Sequence, residues 1–115
     1  MRLSSEFWVS AFVRQCQTDG DFAALSKRGA SHGGAVFVVI NRLDGTNDLY
    51  GPAPQALLDE SHDVNERVFY ALLSAGSQEE LELQISKEQR FDPDLWIVER
   101  ENRTGEHGLI VVSEQ

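Results

Sequence analysis

The run Ala35-Val36-Phe37-Val38-Val39-Ile40 decides the fold. It is apolar without interruption, rich in β-branched side chains, and too short for an ordinary helix. Such a run reads as a strand apolar on both faces, at the centre of a sheet with a neighbour on either side. Directly after it, Asn41-Arg42-Leu43-Asp44-Gly45 turns the chain, and Asp44-Gly45 is a strong hairpin dipeptide. Residues 46–50 return as a second strand. Gly51-Pro52-Ala53-Pro54 is expected to stop it, because proline removes a ladder donor.

Upstream, residues 28–34 read as a loop and residues 22–27 as a short strand. Residues 4–17 read as a helix: Val9, Phe12, Val13 and Cys16 fall on one stripe with Trp8 at its edge. Phe7, Val9, Ala11 and Val13 also alternate as a strand would, but the stripe continues to Cys16 and favours the helix. Ser4 or Ser5 can cap its start and Gly20 can follow its end. Downstream, residues 55–66 are polar and acidic, a loop with one helical turn anchored by Leu57 and Leu58. The stretch 59–66 is its expected mobile part. Residues 68–73 form another apolar strand. Ser77-Gln78-Glu79-Glu80 is a capping box, which predicts a helix to about Arg90 with Leu81 and Ile85 on one face. Asp92-Pro93 ends it. A strand over 95–100, a turn over 102–105 and a closing strand over 109–112 complete the chain. The sum is helix, three-strand meander, strand, helix, hairpin. It predicts a single two-layer α+β domain over residues 1–115, with a mainly antiparallel sheet and two helices packed on one face.

Composition agrees with one folded domain. Of 115 residues, 41% are hydrophobic, and 9 Gly with 3 Pro are too few for a low-complexity chain. One cysteine cannot form an internal disulfide or a multi-cysteine metal site. The net charge of −9 is uneven: residues 1–57 balance five basic against five acidic side chains, and residues 58–115 hold five basic and fourteen acidic. Nucleic acid and anionic membranes are bound by cationic surface, so neither is an expected partner. The acidity reads as solubility, with an acidic face for a cationic partner as the alternative. Residues 7–13 are too short and uncleavable for a signal peptide, and no run approaches a bilayer span, so the cytoplasm is the expected compartment.

Little in the chain points to chemistry. His32, His62 and His107 have no metal-ligand spacing, and no metal or cofactor is expected. Cys16, on the apolar face of the first helix, reads as a buried inert thiol. Gly29, Gly33 and Gly34 precede a strand rather than follow one, so they read as turn glycines and not as a phosphate loop. No residue is assigned a catalytic role.

Two segments supply candidate ligand-binding residues. At the tip of the central hairpin, Arg42 could grip a carboxylate or phosphate, and Asp44 could pair with it. Tyr50 beside the proline turn would form a rim. In Phe91-Asp92-Pro93-Asp94-Leu95-Trp96, Asp92 and Asp94 flank a proline, Trp96 packs beside them, and Glu99 follows with Glu101 on one strand face. Each segment also reads as an ordinary turn or a solvated acidic face.

Several stretches taken together resemble one family. They are Arg2-Leu3, Ser5-Glu6, Trp8-Val9-Ser10-Ala11, Gly34-Ala35-Val36-Phe37-Val38, Asn41-Arg42-Leu43-Asp44-Gly45, Leu49-Tyr50-Gly51-Pro52-Ala53-Pro54 and Phe91-Asp92-Pro93-Asp94-Leu95-Trp96. The chain is similar, from Arg2 to about Glu101, to the bacterial family named domain of unknown function 1491. The resemblance implies a small, free-standing, intracellular bacterial protein, and it assigns no activity and no site residue. Two functional readings follow. The first is a non-catalytic binding module for a protein partner or for a second copy of itself. The second is a small enzyme or anion- or metal-binding protein using Arg42 and Asp44 with Asp92, Asp94 and Glu99. It requires Arg42 and Asp94 to share one pocket, within about 15 Å of each other.

Overall fold

The computed structural model describes residues 4–59 and 66–113. Helix α1 (Ser5–Thr18) starts at Ser4, whose hydroxyl accepts from the Phe7 amide, and gives way to Gly20 at φ 91°. Strand β1 (Ala23–Lys27) and the 28–34 loop lead to β2 (Val36–Asn41), and the hairpin leads to β3 (Thr46–Pro52). A 3-10 turn, Gln55–Leu57, follows. The acidic stretch expected to be mobile falls largely on residues 60–65, outside the described residues. Strand β4 (Val68–Ser77) runs straight into α2 (Gln78–Phe91), then come β5 (Trp96–Glu101) and the short β6 (Ile110–Val112).

The six strands form one sheet in the order β1-β5-β2-β3-β4-β6. The run that opened the sequence reading is a central strand, between β5 and β3. Its register pairs Val38 with Tyr50 and Ile40 with Asp48 on one side, and Val36 with Trp96 through Asn41 with Glu101 on the other. The expected meander and closing hairpin are corrected. Only β2-β3-β4 is a meander; β1 pairs antiparallel with β5, while β5 pairs parallel with β2 and β6 parallel with β4. The sheet is therefore mixed, not mainly antiparallel.

The helices do not share a face, which corrects the two-layer expectation. Val36, Val38 and Ile40 pack with Val9, Phe12 and Cys16 of α1. The alternate residues Phe37 and Val39 pack with Leu81 and Ile85 of α2. Side chains alternate across a strand, so α1 and α2 lie on opposite faces. Residues 102–109 then cross the α1 face as a strap. Gly105 lies against the Arg42 guanidinium, the His107 ring against Tyr50, and Leu109 against the α1-side core.

Strand β3 also runs on through Pro52, where a stop was expected. The β2 pairing reaches no farther than Val38 with Tyr50, so Pro52 has a strand neighbour on one side, Phe69 of β4. Its missing donor falls on the unpaired side, where proline is tolerated.

Candidate functional site

At the end of β2 the hairpin binds its own charges. Arg42 Nε and Nη2 each donate to Asp48 Oδ2 at 2.9 Å. Asp48 is 1% exposed, and its other oxygen accepts from the Ala75 amide at 2.7 Å. Ala75 sits at φ 50°, beside the irregular β3–β4 register, so the buried carboxylate anchors a left-handed residue. Asp44 does not pair with Arg42. Its Oδ1 accepts from the Thr46 hydroxyl and amide, which builds the turn and holds its carboxyl below the usual range. Tyr50 lies on the same face, its ring centroid 4.9 Å from that of His107. Burial, then the Asp48 charge, pushes the Tyr50 phenol up.

Asp92, Asp94 and Trp96 occupy the opposite end of the sheet. Asp92 ends α2; one oxygen accepts from the Asp94 amide and the other from the Ala35 amide at the start of β2. The Trp96 indole donates to the carbonyls of Ala30 and Gly33 and ties down the 28–34 loop. That contact explains two of the three glycines better than a turn does. A Cβ on Gly29 or Gly34 would come within 2.2 or 2.3 Å of the Asp94 carbonyl oxygen, so the loop closes on the β5 start only with glycine there. Val36 lies level with Trp96, and Arg42 lies six residues farther along β2. At the rise of a strand this is roughly 20 Å. Glu99, level with Val39 and half-buried, points to the α2 face, away from Arg42. The sheet thus keeps these groups apart, and no single pocket gathers Arg42 and Asp44 with Asp92, Asp94 and Glu99.

A polar cluster that the sequence reading missed lies under the C-terminus of α1. Arg100, 4% exposed, donates from Nε to Asp21 Oδ2 at 2.7 Å and from Nη2 to Asp19 Oδ2 at 3.4 Å. Asn102 also donates to Asp21, and these two donors hold the Asp21 carboxyl below its usual range. Arg100 reaches Cys16 as well. The thiol is fully buried, and burial pushes it up despite the guanidinium, as the inert reading expects. Asp19 and Asp21 lie about eighty positions from Arg100 in sequence, so no local spacing marks the cluster. Its charges are satisfied internally. Among the described residues, no group of His, Cys, Asp and Glu side chains could hold a metal, and no helix is long and apolar enough to cross a membrane.

One concave surface remains. A groove of about 370 Å³ runs between α1 and β1, at the small end of the range for ligand pockets. Val9, Val13, Leu25 and Trp96 give it an apolar floor, and Arg14 and Arg28 stand at its rim. Arg28 pairs with Glu6 and lies 5.2 Å above the Trp96 ring, a cation–π contact that presets its position. Arg14 is exposed and makes no ion pair among the described residues. Of the seven sequence candidates, Trp96 alone borders this groove. The i, i+4, i+7 stripe Glu6, Ser10, Val13 is the one sequence signal for it, and it names only one wall.

The comparisons with known proteins bear on the whole chain. A family model described as "Protein of unknown function (DUF1491)" matches residues 3–110. No curated protein matches in sequence. The solution structure of protein Atu0922 from A. tumefaciens is similar at 42% identity and a TM-score of 0.82, covering 100% of this chain and 98% of that one. A crystal structure of a DUF1491 family protein from Caulobacter crescentus CB15 is similar at 31% identity and a TM-score of 0.76, covering 98% and 100%. An NMR structure of a DUF1491 family protein from the same organism gives 31% and 0.74, over 100% and 99%.

Proposed function

The chain belongs to the DUF1491 family of proteins of unknown function, and we propose that it is a small non-catalytic binding protein whose partner engages the groove between α1 and β1. The observation that carries this reading is the groove itself: an apolar floor, a guanidinium preset on Trp96, and a second guanidinium with no ion pair among the described residues. Binding sites are concave, mostly apolar and furnished with a few convergent polar groups. The other charged clusters described, Arg42–Asp48 and Arg100–Asp21, answer their own charges and serve the fold. An enzyme built from Arg42 and the Asp92–Asp94 pair finds no support, because roughly 20 Å of strand divides them. We take the partner to be a protein, not nucleic acid or an anionic membrane, since the chain carries −9. The compartment we infer is the bacterial cytoplasm.

A photocrosslinking amino acid at position 25, on the groove floor, tests the reading in the source cell. Position 83, exposed on the far side of α2, is the control. A discrete adduct from position 25, lost on Arg14→Glu and not formed from position 83, is expected. No adduct from 25, or equal adducts from both, overturns the reading.

A further inference from the structure

The groove lies beside an open sheet edge, and the two point to one kind of partner. Resting on the binding reading above, we infer that the groove takes an extended acidic peptide that adds as a strand to β1. Strand β1 ends the sheet order, so one side of its backbone has no strand neighbour. Phe22 accepts from the Glu101 amide, which turns Phe22 and Ala24 inward toward β5. Antiparallel bonding alternates, so the N–H and C=O groups of Ala23 and Leu25 point to the open edge.

Edges of this kind are normally guarded by a charged side chain, a proline or a bulge. Over residues 22–25 none of these is present. The bulge comes after Leu25, and the Lys27 amine is turned inward onto the carbonyls of Pro93 and Leu95 at 3.1 and 2.9 Å. Phe22, 60% exposed, and Leu25, 40% exposed, flank the edge on opposite faces. An added strand would lay alternate side chains over Leu25 and the groove, and the others toward Phe22 and Ala24. The opposite edge, β6, has three residues, and no described groove adjoins it.

Charge selects the occupant. Groove-side positions of an added strand run beside Arg14 and Arg28, which suits carboxylates among aliphatic residues. A second copy fits worse. Two-fold pairing of β1 with β1 would set guanidinium rim beside guanidinium rim, on two bodies of −9 each.

The probe is a synthetic nine-residue peptide of alternating Val and Glu, titrated into the full ¹⁵N-labelled chain. Its Val/Lys counterpart and a version N-methylated on alternate amides serve as controls. The expected result is shifted and exchange-protected amides at Ala23 and Leu25. Affinity should fall about threefold to tenfold in Arg14→Glu, as for an exposed ion pair reversed in sign. The melting temperature of Arg14→Glu should match the parent, because the side chain is exposed. Equal binding of the Val/Lys peptide overturns the acidic assignment, and equal binding of the N-methylated peptide overturns strand pairing. A concentration-dependent dimer through β1 in size-exclusion chromatography overturns the choice of partner. Position-25 adducts without peptide selectivity overturn strand addition and leave the groove reading standing; absence of the adducts removes both.

Discussion

Asp48 uses both carboxylate oxygens on the fold, one on Arg42 and one on the Ala75 amide. Few single residues here join so much: the hairpin tip, the β3 interior and the bend in β4. Asp48→Ala leaves the Ala75 amide without its acceptor and the Arg42 charge without its partner. A stability loss of about 2–4 kcal/mol is expected in urea unfolding, since orphaned buried polar groups cost more than the bond was worth. A loss below about 0.5 kcal/mol would reject this role. The residue types at the tip were legible, but the pairing was not. Asp44 is nearer to Arg42 in sequence, yet its side chain is short and next to Thr46, where it closes a turn instead. The strand register brings Asp48 across from Ile40, on the same face as Arg42.

Single elements followed the sequence where their signals are local. The capping box at Ser77 is complete: the Ser77 hydroxyl accepts from the Glu80 amide at 3.1 Å, and the Glu80 carboxylate accepts from the Ser77 amide at 2.9 Å. Ser77→Ala should lower stability by about 1 kcal/mol, with the first turn of α2 fraying faster in hydrogen exchange. An unchanged exchange pattern there would show that β4 alone fixes the helix start. Strand ends were less legible. Strand β4 was expected to finish at Leu73 and instead reaches Ser77. Residues 74–76 carry no apolar pattern, and they are held by β3 and by Asp48 across the bend. Pro52 likewise stays in β3 because of where β2 stops, which no local motif records.

Across the whole molecule, the strap over residues 102–109 joins the sheet's two halves on the α1 face, and His107 is its fastening. The ring lies on Tyr50, its Nδ1 accepts from the Leu109 amide at 2.9 Å, and its carbonyl accepts from Arg100. Burial holds the imidazole below its ordinary range, with Arg100 adding to this and Asp48 opposing. The unfolded chain takes up that proton near pH 6.5, before the folded one does. This contribution is therefore complete above about pH 6.5 and is lost as pH falls through the lower folded value. His107→Phe should be less stable at neutral pH, yet should lose less of its urea midpoint between pH 7 and 5 than the parent. Parallel slopes for the two proteins would remove His107 from the pH response. The placement of the helices belongs to the same scale. An apolar strand such as residues 35–40 needs cover on both faces, and α1 and α2 supply one each. The local chemistry of the chain by itself determined the two helices, the central strand, the hairpin and the inert thiol, because caps, turn residues and side-chain period act between neighbours. The tertiary structure alone decided that β5 inserts between β1 and β2, that the helices take opposite faces, and that Arg100 meets Asp21. Those pairings span tens of residues, and they are chosen by which apolar faces can be buried at once, a condition on the assembled body that no short stretch carries.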